Sequence, residues 1–239
     1  MGTPVWKGRI AYNGRSFAAK ILTGARAESI SFNQLHRHDL SRVKQVLHCE
    51  KENKPVPRDE LVRGYEHGKD EFVVLEEDEI KALSPAAPDV IDLTKFVRLA
   101  QVDPLYFESS YYVAPAGDEV GYAALFGTLR KNQVGGLAKI CLYTRERPLL
   151  FRAGTTGIIA HSLFYAHELR TMDQFRTRES AASEAELVAT GRGVRALLVS
   201  FDDVKLHDQQ FETTGRLIAA KVAAKAKPVS NAARTRTAA

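Results

Sequence analysis

The sequence predicts a mainly β protein with helices in its C-terminal part, in which the strands form an antiparallel barrel or sandwich. Short β-prone segments separated by turn signals recur between residues 5 and 165, as is typical of antiparallel sheets. Beyond Arg170 the strand alternation ends, and residues 171–227 are rich in Ala, Glu, Arg and Lys. That composition favours helices.

The first element is a predicted hairpin over residues 5–22, because Asn13-Gly14 suits a tight two-residue turn. The polar stretch from His36 to Pro57 indicates an excursion away from the core. The other predicted strands cover residues 29–33, 70–75, 90–99, 105–114, 137–144, 148–153 and 157–165.

Helices are predicted at four places. Residues 76–83 form a short one with an acidic start. Asp118 is a plausible N-cap for the next, which Gly135-Gly136 should end. The last two are expected over residues 184–198, broken by Gly191 and Gly193, and over residues 208–227, stopped by Pro228.

The net charge of +5 comes from 34 basic and 29 acidic residues. Residues 215–239 hold six basic residues and no acidic one, so the rest of the chain is close to neutral. A polyanion would bind that neutral body only through segregated charge. Residues 130–152 are a candidate, with six basic residues against one acidic residue, Glu146.

Common catalytic and membrane signatures are absent from the sequence. There is no Walker A loop, G-x-S-x-G, H-E-x-x-H or paired C-x-x-C, so neither catalysis nor a cofactor is expected. No apolar run approaches the ~18 residues that span a bilayer, and no signal-peptide core is visible. We therefore expect a cytoplasmic protein without a membrane partner, and the two cysteines fit a reducing compartment.

Some residues leave a metal or catalytic site open. Four side chains are chemically suited to zinc: His36, His38, His48 and Cys49. The last two are neighbours, however, and would point apart on an extended segment. The acidic run 76–79 could mimic a nuclease site, but at a helix start it also compensates the helix dipole. For His161 and the pair His167-Glu168, a structural role is the simpler interpretation than acid–base chemistry.

Strand alternation predicts which basic residues of the 130–152 segment face outward. With Ile140 and Phe151 facing the core, it places five side chains on the outer face: Lys139, Cys141, Tyr143, Arg145 and Arg152. Such a surface could follow phosphates. The sequence shows no helix-turn-helix or zinc finger for reading bases.

Five segments carry a family resemblance. In order, they are Trp6-Lys7-Gly8, SISFNQLHRHD (29–39), VPRDELVRGYEHGKDEFVVLEEDEI (56–80), VIDLTKFV with VDPLYFESSYYVAPAG (90–117) and IIAHSLFYAHELR (158–170). A weaker similarity, FDDVKLHDQQFETTGRLIAAK, covers residues 201–221. Together they resemble the bacterial Ku family, the end-binding factor of non-homologous end joining.

The resemblance implies a mainly β fold with α parts: an antiparallel β-barrel core, a bridging insertion and a C-terminal helical arm. Residues 1–170 would form the core, including a DNA-bridging insertion at about 33–69. Residues 171–227 would form the arm, and residues 228–239 a disordered basic tail.

The resemblance also implies a function. The chain would bind double-stranded DNA ends without sequence preference, as a ring-shaped homodimer associated with the bacterial nucleoid. It would protect the ends and recruit a multidomain ATP-dependent end-joining DNA ligase, with no catalytic residue, metal or cofactor. The residues expected to contact DNA are Lys7, Arg9, Arg37, Arg42, Lys44, Lys54, Arg63, Lys131, Lys139, Arg145 and Arg152.

Two alternatives come from other classes of protein. One is a metal-dependent nuclease that uses the acidic run or the His/Cys group. The other is a general nucleic-acid-binding β-barrel that works as a monomer.

Overall fold

The computed structural model describes residues 3–25, 27–83, 88–142, 145–170 and 182–226. The chain forms two compact units. One comprises Met1–Arg26 and Gln45–Met172, and the other comprises Ala27–Lys44 and Asp173–Ala239. The fold is mainly β with helices, which confirms the predicted class.

Twelve strands and four helices are seen in the described parts of the chain. The strands are β1 (Trp6–Tyr12), β2 (Arg15–Thr23), β3 (His48–Cys49), β4 (Lys54–Pro55), β5 (Arg63–Gly68), β6 (Glu71–Leu75), β7 (Val90–Asp92), β8 (Lys95–Arg98), β9 (Phe107–Pro115), β10 (Val134–Leu142), β11 (Arg145–Ala153) and β12 (Ile158–Leu163). The helices are α1 (Glu77–Leu83), α2 (Glu119–Asn132), α3 (Glu184–Ala196) and α4 (Gln209–Ala226). None of these helices is both long and apolar enough to cross a bilayer.

An eight-stranded sheet in the order β7-β1-β2-β9-β12-β11-β10-β8 dominates the first unit. Its two end strands, β7 and β8, are separated by only two residues. At that junction the Leu93 N–H donates to the Ala11 carbonyl, and the Thr94 N–H donates to the Leu137 carbonyl. The two ends of the sheet therefore meet through one short segment, and the sheet is curled in the manner of a barrel.

The barrel interior is filled by alternate side chains of its strands together with one face of α2. Phe17, Ile10 and Phe151 are fully buried there, and Leu125 and Leu129 of α2 pack against the same cluster. Each large apolar side chain buried in this way contributes about 1.5–3 kcal/mol. This packing makes the barrel wall a rigid support for the side chains on its outer surface.

The predicted N-terminal hairpin and the predicted start of α2 are confirmed. Asn13 and Gly14 both have positive φ, at 45° and 73°, and β1 pairs antiparallel with β2 around them. Asp118 caps α2 by accepting a hydrogen bond of 2.9 Å from the Gly121 N–H. Both features depend on local chemistry that the sequence displays directly.

Other boundaries were predicted wrongly. Residues 29–33 form no strand. The helix α2 ends at Gln133, which has a left-handed φ of 53°, whereas Gly135 and Gly136 lie inside β10. A Cβ atom at Gly135 would lie 2.6 Å from Leu150 Cδ1, so this glycine permits close packing rather than a helix end.

In the second unit, Ser183 and Glu186 form a capping box at the start of α3. The helix α3 continues through Gly191 and Gly193, which the sequence analysis treated as breaks. Residues 27–44 belong to this unit, and the predicted domain limits stay a prediction. Pro228 and the predicted tail over 228–239 lie outside the described residues.

Candidate nucleic-acid interface

The strands of the barrel present a basic surface on the side away from the core. In β1, Trp6 and Ile10 are buried while Lys7 and Arg9 are exposed. The alternation of the pleat therefore places both cations on the outer side of the wall.

The register of the first hairpin adds Lys20, which the sequence analysis missed. Lys7 lies directly opposite Lys20 across β1 and β2. Like charges in that position destabilise a sheet. The two-residue turn at Asn13-Gly14 determines this register, so the pairing could have been read from the sequence.

Acidic side chains on this side of the wall include Asp92 of β7, which lies opposite Ala11, and Glu146 of β11, which binds Lys139. On β1, β2, β9 and β12, the outward positions that pair with one another in register hold Lys7, Arg9, Ala11, Ser16, Ala18, Lys20, Leu22, Ser110, Tyr112, Ala114, Ile159 and His161. On the next strand, β11, Arg152 lies opposite Ile159 and so shares this side of the wall. We call the set Lys7, Arg9, Lys20 and Arg152 the outer basic face.

Neutral acceptors hold the two arginines of the outer basic face. The Arg9 guanidinium donates to Ser16 Oγ at 2.8 and 3.0 Å and to the Ser16 carbonyl at 3.0 Å. Arg152 Nε donates to His161 Nε2 at 2.8 Å. Neither acceptor carries a negative charge, so both guanidinium groups keep their full charge for an anion.

Carboxylates bind the other predicted cations of the β10–β11 hairpin. Lys139 Nζ lies 2.7 Å from Glu146 Oε1, and this hydrogen bond together with the Glu146 charge raises the pKa of Lys139. Arg145 forms an ion pair with Glu168. The hydrogen bond from the Tyr165 N–H and then the interaction with Arg145 lower the pKa of Glu168.

The predicted outward orientation of Arg145 is wrong. Arg145 lies opposite Leu142 in the register, and paired residues share a face, so Arg145 lies on the side of Ile140 and Leu149. The physical reason is that the chain turns between β10 and β11, whereas the prediction continued one strand's alternation through the turn. Cys141 does share the side of Lys139, but it is buried there.

The remaining predicted cations are exposed and lie on several elements. Lys131 is in the last turn of α2, Lys54 is on β4, 4.0 Å from Glu52, and Arg63 begins β5. In the second unit, Arg37, Arg42 and Lys44 are exposed near a single-bridge turn that pairs Leu35 with Arg42. Their role in DNA binding stays a prediction.

The residues singled out for metal or acid–base chemistry make structural contacts instead. His36 Nδ1 lies 3.0 Å from Asp39, and Glu79 accepts a hydrogen bond from the Glu76 N–H at the start of α1. His167 is exposed and stacks on Tyr165. Within the described ranges, no three His, Cys, Asp or Glu side chains are grouped so that they could hold a metal ion.

A family model and individual relatives both match this chain to Ku proteins. Residues 17–189 match the family model described as the Ku70/Ku80 beta-barrel domain. The chain is 37% identical over 222 residues to "Non-homologous end joining protein Ku" of Solibacter usitatus, covering 92% of the chain and 83% of that protein. It is also 37% identical over 221 residues to the protein of the same name from Koribacter versatilis, covering 92% of the chain and 76% of the relative.

A third relative, "Non-homologous end joining protein Ku" of Opitutus terrae, is 31% identical over 166 residues, covering 69% of the chain and 60% of that protein. The family match and these identities agree with a curled barrel whose two ends meet through residues 90–98. The chain therefore belongs to the Ku family.

Proposed function

We propose that the chain binds the ends of double-stranded DNA without reading sequence, as a ring-shaped homodimer in non-homologous end joining. The outer basic face is the single observation that carries this proposal. Within the described residues none of its four cations forms an ion pair with a carboxylate, and Arg9 and Arg152 are held by neutral acceptors. A surface of this kind binds phosphates by releasing counterions, which is independent of sequence.

The exposed insertion supports a role outside the core. All residues from 33 to 69 are described, and none of them is buried. A segment that spans DNA packs little against its own chain and presents cations instead. We assign this role to residues 33–69, with Arg37, Arg42, Lys44, Lys54 and Arg63 as the phosphate contacts.

Exposed apolar side chains support association with a second copy. In the second unit, Leu197, Phe201 and Leu206 are exposed by 82%, 74% and 81%. Apolar groups exposed to this extent mark interaction surfaces in soluble proteins. A closed ring made by two copies would select DNA ends by topology, because duplex can enter it only at an end.

A comparison of linear duplex with covalently closed circular duplex tests the ring. We expect strong binding to the linear form and weak, salt-sensitive binding to the circle, together with a dimer mass in solution. Equal affinity for both forms would contradict the ring, and a monomer that binds both would favour the general nucleic-acid-binding barrel.

The nuclease alternative and ligase recruitment need separate tests. Incubation of linear duplex with the protein and Mg²⁺ or Mn²⁺ should leave the strands intact, whereas degradation abolished by changing residues 76–79 would favour the nuclease. Under the proposal the chain protects ends from an added exonuclease and increases joining by a multidomain ATP-dependent ligase. If joining were unchanged, ligase recruitment would be contradicted, whereas the proposal of end binding would still stand.

A further inference from the structure

His161 is an outward-facing residue of β12 that lies opposite Ser110 and is not one of the cations of the outer basic face. Its side chain is only 6% exposed, because the Phe107 ring lies over it with a centroid distance of 4.7 Å. On one side Arg152 Nε approaches His161 Nε2 at 2.8 Å. On the other side Ser110 Oγ lies 3.0 Å from His161 Nδ1.

These contacts determine where the imidazole proton resides. Arginine is permanently charged and can only donate, so His161 Nε2 must be the unprotonated acceptor. The proton of the neutral ring is then on Nδ1, from which it is donated to Ser110 Oγ. Burial, and then the positive charge of Arg152, lower the pKa of His161 to about 4, which keeps the ring neutral at pH 7.

The bond to His161 is the main anchor of Arg152. Among the described residues, the other hydrogen bond of this guanidinium, from Nη1 to the Ala153 carbonyl, is long at 3.4 Å. Within the described residues no carboxylate pairs with Arg152, whereas Arg147 on the same strand lies 3.2 Å from Glu108. A carboxylate at residue 161 would hold Arg152 equally well, but it would cancel the charge that a phosphate needs.

We propose that His161 is a positioning residue for DNA binding, whose neutral imidazole fixes the Arg152 guanidinium while leaving its charge available to a backbone phosphate. This inference rests on the proposed function, because it assigns a further residue, with a positioning role, to the same interface. It identifies one arginine of the outer basic face as preorganised, so that little side-chain entropy is lost when the phosphate binds.

Three substitutions at residue 161 separate the effects of acceptor and charge. His161→Phe removes the acceptor, and we expect about fivefold weaker binding to short linear duplex, with a salt slope lower by about 0.9. His161→Gln supplies a neutral acceptor and should stay within about twofold of the wild type. His161→Glu keeps an acceptor but adds a negative charge, and it should lose at least as much affinity as His161→Phe.

A double-mutant comparison distinguishes positioning from general damage. In an Arg152→Ala background, His161→Phe should cause no further loss of affinity. His167→Phe, the same chemical change at an exposed histidine, is the matched control and should leave binding unchanged. A further loss in the Arg152→Ala background, or full affinity of His161→Phe, would overturn the inference while end binding by the wild type still stood.

A measurement on the wild-type protein covers the case in which His161→Phe fails to fold. Nitrogen NMR of the imidazole at pH 7 should show a protonated Nδ1 and an unprotonated Nε2. A proton on Nε2 would overturn the inference, because Arg152 would then have no acceptor. If the wild type bound neither linear nor circular duplex, the proposed function would fail and this inference with it.

Discussion

The two ends of β11 hold their arginines in opposite ways. Near its start, Arg145 and Arg147 bind the carboxylates of Glu168 and Glu108. Near its end, Arg152 binds the neutral ring of His161. A carboxylate partner fixes a cation but cancels its charge for any third group, whereas a neutral acceptor fixes it and leaves the charge intact. Three of the predicted DNA contacts lie on the β10–β11 hairpin. Lys139 and Arg145 are paired with carboxylates, whereas Arg152 is held by a neutral ring.

The largest effect should come from removing the charges that no carboxylate compensates. We expect Lys7→Ala with Lys20→Ala to weaken binding to linear duplex about 30-fold and to lower the salt slope by about 1.8. Lys139→Ala with Arg145→Ala removes the same charge from paired cations and should stay within about threefold. Both affinities can be measured by fluorescence anisotropy over a salt series. Equal losses in the two double variants would show that only net charge matters.

The second prediction concerns stability against pH. His161 has a folded pKa of about 4, below the ordinary histidine value of 6.5, so the unfolded chain binds more protons between these values. Its contribution is fully present above pH 6.5 and is lost as the pH falls towards 4, by at most about 3 kcal/mol, since one pKa unit corresponds to about 1.4 kcal/mol. Urea unfolding at several pH values should show this loss in the wild type and a smaller one in His161→Gln. His167→Gln is the control, and it should follow the wild type.

A smaller effect is expected from releasing a paired cation. Glu146→Gln removes the partner that raises the pKa of Lys139, so the Lys139 charge becomes available on the outer side of the wall. We expect binding to linear duplex to become about threefold tighter. Glu77→Gln, which removes one of the two carboxylates beside Lys81 on α1, makes the same change in net charge outside the outer basic face. An equal gain in both variants would argue against a local effect.

The smallest effect is a gain in stability. Lys20→Thr removes the like charge opposite Lys7, which should raise the free energy of unfolding by about 0.3–0.5 kcal/mol. DNA binding should weaken several-fold in the same variant. Lys95→Thr on β8 is the control, since Lys95 lies opposite the apolar Leu137. A lower free energy of unfolding in Lys20→Thr would show that the Lys7–Lys20 pair does not destabilise the fold.

Local features of the fold could be predicted because their causes lie within a few residues. Asn13-Gly14 adopts positive φ and specifies the first hairpin, and Asp118 supplies an oxygen to the free N–H groups at the start of α2. The alternation in β1 likewise indicates Lys7 and Arg9 as outward. The same turn implies that Lys20 lies opposite Lys7, an inference that the sequence analysis did not draw.

Features that depend on distant partners could not be predicted in this way. Nothing local shows that Gly135 must allow the approach of Leu150, so the sequence alone predicts a helix end at this glycine. The strand β5 also escaped prediction, since Arg63–Gly68 acquires strand geometry by pairing with β6. The face of Arg145 depended on where the chain turns after β10.

The sequence by itself determined the mainly β class, the first hairpin and the resemblance to the Ku family, because turn chemistry, side-chain alternation and motif order are written in the chain. Only the tertiary structure decided which cations keep their charge. Arg145 and Arg152 are the same residue type on one strand, and they differ because folding brings Glu168 to one and His161 to the other. Whether the charge of a cation is available to DNA depends on which residues lie beside it in space, and the strand register of the barrel determines those residues.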